Sequence, residues 1–203
     1  RHLRAGDPVM KAVIDDVGPF TLRLERDRFH MLVRSIISQQ ISTSAARSIR
    51  RRLQEVAGPG GLTAANLAQF TVDELRSVGL SPQKASYVTD LARKVNDGVV
   101  DLRQIGRLSD ERIVEQLTQV RGIGRWTAQM FLIFSLGRLD VFPHDDLGVK
   151  TAIRNHYGLD NLPDKQTAVA IAAPWRPYAS VASWYCWRSL DRNREAVAKG
   201  YPT

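Results

Sequence analysis

Cysteine is almost missing from this chain: Cys186 is the only one in 203 residues. A single thiol excludes a disulfide within the chain and a four-cysteine iron–sulfur cluster, and it suits an intracellular protein. Long hydrophobic runs are missing as well. No stretch approaches the roughly 18 apolar residues of a membrane span, so no membrane partner is expected. The opening residues, Arg-His-Leu-Arg-Ala-Gly-Asp, lack the apolar centre of a signal peptide. Histidine is scarce, and His2, His30, His144 and His156 show no metal-ligand spacing with a cysteine or an acidic pair. There is no internal repeat and no low-complexity tract.

Positive charge is what the chain has in excess. Lys and Arg total 29 against 21 Asp and Glu, a net charge of +8 with a pI near 10.1. That balance favours a polyanionic partner, nucleic acid before a membrane surface, over the plainer reading of a merely basic soluble protein.

Thr21 to Arg26 alternates like a short strand but is expected to be irregular, an isolated strand being out of place in a helical protein; the rest of the patterning is helical. A short helix is expected near Val9 to Asp15. Val33, Ile36, Ile37 and Ile41 mark one buried face through Ser38-Gln39-Gln40. A helix carrying Arg47, Arg50, Arg51 and Arg52 ends at Gly58, and its arginines read as a solvated face. Thr71-Val72-Asp73-Glu74 is a capping box, Ser81-Pro82 starts another helix, and Ser109 caps a third. After Pro143, Asp145 is expected to cap a helix ending at Gly158, a further helix covers about Asp164 to Ala173, and the last carries Val181, Trp184 and Trp187. Those two tryptophans read as core. The fold class is all-α, with about nine or ten helices.

One stretch stands out. An apolar helical run through Ile113 and Leu117 leads into Val-Arg-Gly-Ile-Gly-Arg-Trp-Thr-Ala, Val120 to Ala128, and a second apolar helix follows with Met130, Phe131 and Phe134. Gly122 and Gly124 permit a positive φ and a close backbone approach. The second helix starts at once, so its free N–H groups and positive dipole end make a phosphate cradle. Further on comes Asp146, in Phe-Pro-His-Asp-Asp-Leu-Gly-Val-Lys. On local sequence alone it is either a helix cap or a catalytic acid.

Together with Ser38-Gln39-Gln40, Gly79-Leu80-Ser81 and Pro174-Trp175-Arg176, these blocks resemble the helix-hairpin-helix DNA glycosylases, from about Asp27 to Leu190. The branch they look most like is the bacterial 3-methyladenine DNA glycosylase II enzymes. The resemblance implies a two-lobed helical fold with the active cleft between the lobes. One lobe would span 31–140, with the hairpin at about 110–136. The other would combine 1–30 with 141–203. Larger members carry an N-terminal β-rich domain, for which the first residues of this sequence leave no room.

The resemblance also implies roles. Asp146 would be the catalytic acid, stabilising the oxocarbenium-like sugar and orienting water, with Asp145 left as the cap. Trp126 stands where lyase-competent branches have a lysine, which implies a monofunctional enzyme that leaves an abasic site. Trp126, Trp175 and Met130 would line the base pocket, aromatic faces suiting a cationic alkylated base. Gln40 would be the wedge that fills the gap left by the flipped base, its other reading being an exposed helix glutamine. Gly122, Gly124, Arg125, Thr127 and Lys150 would hold the DNA backbone. Carbonyls of Thr118, Val120 and Ile123 would hold a Na⁺ or K⁺ ion; catalysis needs no cofactor or metal. The implied partner is double-stranded DNA carrying 3-methyladenine or 7-methylguanine, met by a monomer in the cytoplasm at the nucleoid. Ethenoadenine or methylated pyrimidines as the main lesions, or a non-catalytic hairpin that only binds DNA, are the alternatives.

Overall fold

The computed structural model describes residues 1–198, with side chains through Asp191. Helices account for all the regular structure among these residues. The chain forms two compact units: Leu24–Leu136, and Arg1–Arg23 together with Gly137–Thr203.

The continuous unit contains α3 (Arg28–Ser38), α4 (Thr43–Ala57), α5 (Ala64–Leu67), α6 (Val72–Ser77), α7 (Pro82–Asn96), α8 (Asp110–Leu117) and α9 (Arg125–Phe134). Its starts obey local chemistry. Ser42, Ser81 and Ser109 each accept a backbone N–H three residues on, and Thr71 and Glu74 form the expected capping box. Pro82 occupies the first turn of α7, where its missing N–H costs nothing. Helix α7 is the hub: it packs on α3, α5 and α6, burying Ala85, Val88, Leu91 and Ala92. Leu32, Ile36, Leu53, Leu75, Ile113 and Phe131 complete a core that excludes water. Since Asp27 caps α3 and the Glu25 amide donates to the Phe134 carbonyl, the unit takes in residues before 31.

The other unit contains α1 (His2–Gly6), α2 (Pro8–Val17), α10 (Leu147–Tyr157), α11 (Lys165–Ala172) and α12 (Ala179–Ala198). Helix α12 packs on α10 and α2 around Met10, Val149, Ile153, Trp175 and Ala182. Gly158 ends α10 in a left-handed conformation, as its position after the last apolar residue suggests.

Three expectations are corrected. There are twelve α-helices among the described residues, not nine or ten, because α1 and α5 are too short to show a period. Thr21 to Arg26 is irregular, as expected of a segment with no partner strand to bond. Ile41 is 37% exposed, since α3 has already ended at Ser38. Asp146, not Asp145, caps α10.

Candidate functional site

In the continuous unit, α8 closes at Thr118 and α9 opens at Gly124. The link between them is a tight turn: the Val120 amide donates to Leu117, and the Ile123 amide to Val120, both at 3.1 Å. Gly122 has φ +80, and a Cβ there would fall 2.0 Å from the Tyr87 ring, so glycine is required twice over. Gly124 is different. Its φ of −91 and ψ of 177 are extended, and a Cβ would meet nothing within 4 Å. The expected positive φ therefore holds for Gly122 alone. Gly124 leaves α9 without a side-chain cap, so the N–H groups of its first turn face outward at the positive end of the dipole.

Three side chains of α7 and α3 fix this turn. Asp90, 3% exposed, accepts from the Arg121 amide (2.9 Å), Lys94 Nζ (2.9 Å) and Arg93 (3.2 Å). Burial works against its charge, but these bonds outweigh burial and hold its pKa below the ordinary value. Lys94 also donates to the Gln119 carbonyl. Gln39 Nε2 donates to the Gly122 carbonyl at 2.8 Å. Asp90 escaped the sequence reading, although an acid interrupting the buried stripe of Val88 and Leu91, with a lysine one turn on, was a usable signal.

Gln40 is exposed and is the one non-glycine residue with positive φ (54°) among the described residues. It lies in the turn between α3 and α4, not on a helix face. Trp126, in the first turn of α9, is 45% exposed, and Met130 lies one turn further at 6%. Arg125 pairs with Glu111 at 2.7 Å on the surface. Thr127 is 4% exposed, so its hydroxyl is not offered to a phosphate as expected; the third position of α9 turns toward the core.

In the discontinuous unit, Asp146 is 7% exposed. Its Oδ1 accepts from the Val149 amide and from Trp187 Nε1, each at 2.8 Å. Gly148 makes room for that indole, since a Cβ there would fall 2.8 Å from Trp187 Cδ1. Trp187 is thus more than core packing: it is a donor to the carboxylate. Neither it nor Gly148 could be read from sequence without knowing that α12 lies on α10. Asp145 is largely exposed beside His144. Lys150, one turn after Asp146, is half-buried within electrostatic reach of Asp164. Cys186, fully buried, has its thiol pushed up to about 12 by burial first and then by Asp146 and Asp7, which leaves it neutral.

Trp175 is corrected. It is fully buried, edge-on to Phe142, and its Nε1 donates to Asp7 Oδ2 at 3.0 Å. Tyr157 donates to the same carboxylate. Burial opposes the Asp7 charge, but Tyr157, Trp175 and the Val9 and Met10 amides hold its pKa down. An indole so placed is a structural tie within the core. No cluster of three metal-ligating side chains occurs among the described residues.

The structure therefore gathers two sets of residues. One is the hairpin turn with Gln39, Gln40, Tyr87 and Asp90; the other is Asp146 with Trp187 and Gly148. The first can hold an anion on backbone amides, and the second presents a carboxylate held by two N–H donors. The sequence profile of the HhH-GPD superfamily of base excision DNA repair proteins matches residues 33–177. A putative DNA-3-methyladenine glycosylase of Bacillus subtilis is 32% identical over 188 residues, 90% of this chain and 66% of that protein. DNA-3-methyladenine glycosylase 1 of Schizosaccharomyces pombe is 31% identical over 193 residues, covering 93% and 85%. The solved structure of S. pombe 3-methyladenine DNA glycosylase in complex with abasic DNA superposes with a TM-score of 0.85 at 31% identity, covering 94% of this chain and 95% of that one. The chain spans about two thirds of the B. subtilis relative and most of the fission-yeast one.

Proposed function

Because this chain belongs to the HhH-GPD superfamily of base excision DNA repair proteins, we propose that it is a DNA glycosylase that removes alkylated bases. The observation that carries the chemistry is Asp146, a nearly buried carboxylate whose Oδ1 is fixed by the Val149 amide and the Trp187 indole. Breaking an N-glycosidic bond builds positive charge on the deoxyribose. A carboxylate already positioned and stripped of most water stabilises that charge without reorganising. The base departs with the bonding electron pair, which neutralises the positive charge of a base such as 3-methyladenine or 7-methylguanine. Water closes on C1′, and its proton passes to Asp146 or solvent.

Binding falls to the hairpin. The uncapped first turn of α9 receives a phosphate of double-stranded DNA, with Arg125 adding positive charge there; Lys150 adds positive charge toward the DNA backbone from the other unit. The emptiness around Gly124 supports this, since nothing within the protein requires glycine there and close approach from outside does. Trp126, exposed in that turn, offers an aromatic face to a cationic base over Met130. Gln40 is the wedge. Trp126 has no amine with which to attack the sugar, so the product is an abasic site without strand cleavage.

The carbonyls of Thr118, Val120 and Ile123 would hold a Na⁺ or K⁺ ion. Thr118 caps the negative end of α8, where unbonded carbonyls collect, and the Val120 oxygen keeps a second lone pair beyond the Ile123 amide. Such an ion would steady the turn; the reaction itself draws on no metal. The enzyme works as a monomer at the nucleoid.

The test is a labelled duplex carrying one 7-methylguanine or ethenoadenine, incubated with wild type and with Asp146→Asn, and read with and without alkali. Breaks that require both wild type and alkali are expected. Breaks without alkali would overturn the monofunctional reading. Tight binding with no breaks on any lesion would favour a hairpin that only binds DNA.

A further inference from the structure

Lys84 occupies an awkward place. It is the third residue of α7, where Ser81 caps its amide, so its ammonium starts from the positive end of a helix dipole. It is also partly withdrawn from water, and burial pulls its pKa below the ordinary lysine value. Both effects disfavour a cation here. What offsets them is the opposite pole of another helix: Nζ donates to the Ile37 carbonyl at 2.8 Å and to the Gln39 carbonyl, at the end of α3.

The consequence reaches the next residue. Gln39 is held at its carbonyl by Lys84 and at its side chain by the Gly122 carbonyl of the hairpin turn. Directly after it the chain turns through the positive φ of Gln40, a conformation that costs a non-glycine residue energy and persists only where its surroundings impose it. One turn along α7 from Lys84, Tyr87 lies under Gly122. A single helix thus braces both the Gln40 turn and the hairpin turn.

We propose that Lys84 is a positioning residue which, through Gln39, locks the α3–α4 turn to the hairpin, so that Gln40 enters the duplex in register with the phosphate grip. The inference rests on Gln40 being the wedge. Grip on undamaged duplex needs only the hairpin amides, whereas filling the gap of an extruded base needs Gln40 held in its strained turn. Loss of Lys84 should therefore separate the two.

The probe is a duplex with a stable abasic-site analogue opposite 2-aminopurine, whose fluorescence rises when it is unstacked by an inserted side chain. Wild type, Lys84→Met, Lys84→Arg and Gln39→Ala are compared, with melting temperatures recorded for each. Lys84→Met and Gln39→Ala should lose the fluorescence rise and about tenfold of abasic-site affinity, the worth of a charge-assisted bond. In Lys84→Met affinity for undamaged duplex should change less than about twofold, and Lys84→Arg should recover most of the signal; Gln39→Ala, which also leaves the Gly122 carbonyl of the hairpin turn without its donor, should weaken both kinds of binding. Equal loss of undamaged and abasic binding, in step with a fall in melting temperature and without rescue by arginine, would make Lys84 merely structural and overturn the proposal. So would a full fluorescence rise in Lys84→Met. A wild-type protein that gives no rise would remove Gln40 as the wedge, and this inference with it, while leaving base excision standing.

Discussion

Two helices of this protein begin in opposite ways. Helix α9 opens on Gly124, which brings no side chain to cap its first amides; α10 opens on Asp146, whose carboxylate meets the Val149 amide. Each start carries the same half-positive charge. At α9 that charge is left for something outside the protein, and at α10 the protein supplies its own anion. A helix start left open is a binding device. One filled by a nearly buried aspartate, with an indole N–H on the same oxygen, is a way of holding a charge still. The two jobs of the proposed enzyme, gripping a phosphate and stabilising a cation, are thus the empty and filled forms of one element.

The largest effect should come from emptying the filled start of charge. Asn caps helices as well as Asp does, so Asp146→Asn keeps the bond to Val149 and the fold while removing the carboxylate. Single-turnover excision should drop on the order of 10³-fold, the scale of losing a main electrostatic stabiliser. The melting temperature should hardly move. Asp146→Ala should lose the same activity and, in addition, about 1 kcal/mol of stability from the missing cap. If both variants lost activity only in proportion to stability, Asp146 would be a cap and nothing more.

The converse change fills the open start. Gly124 is extended, with nothing near its missing Cβ, so Gly124→Asp should be accepted without strain and raise stability by a few tenths of a kcal/mol. It should also occupy the amides meant for phosphate and repel the backbone. Duplex affinity is expected to fall about tenfold or more in a fluorescence-anisotropy titration, the size of a charge-assisted bond. Gly124→Asn, a neutral cap, should cost less. Undiminished binding by the aspartate variant would show that the α9 amides are not the grip.

What could be read from the amino acids follows the same division. The caps at Thr71, Ser81 and Ser109, and the stop at Gly158, depend on a few neighbouring residues, and they were legible. So was the hairpin, since two glycines between apolar helical runs leave few other conformations. The choice between Asp145 and Asp146 as cap was not. Adjacent aspartates are equivalent locally, and the decision lies with Trp187 on a distant helix. Trp175 failed for the same reason: its indole finds Asp7, 168 residues away in sequence, and only that partner tells a core tryptophan from an exposed one.

A smaller effect is expected from the partner that distinguishes α10. Trp187→Phe keeps the ring against Gly148 but removes the N–H from Asp146 Oδ1. Val149 still holds the carboxylate, so excision should fall only several-fold, roughly the 1 kcal/mol of one hydrogen bond. Gly148→Ala, which drives a methyl into the indole, should do at least as much. Full activity in both would mean that the indole contact does not matter to the acid.

The subtlest test concerns Asp90, because it asks why α9 can afford to stay open. The turn before α9 is not short of an anion. Its Arg121 amide is met by Asp90, reaching across from α7, so the loop is held without spending the α9 amides. The bonds to Arg121, Lys94 and Arg93 keep the folded pKa of Asp90 below the ordinary aspartate value of 3.8, against the pull of burial. A group whose pKa is lowered on folding adds stability above its unfolded pKa and loses it as pH falls through the folded one. The urea midpoint of wild type should therefore decline on going from pH 5 to below about 3.8, and part of that slope should vanish in Asp90→Asn. At neutral pH that variant should be less stable by about 2 kcal/mol, since Lys94 and Arg93 lose their buried partner. An unchanged acid slope would mean that Asp90 is not held ionised by the turn, and the hairpin would have to owe its shape to Tyr87 and Gln39 alone.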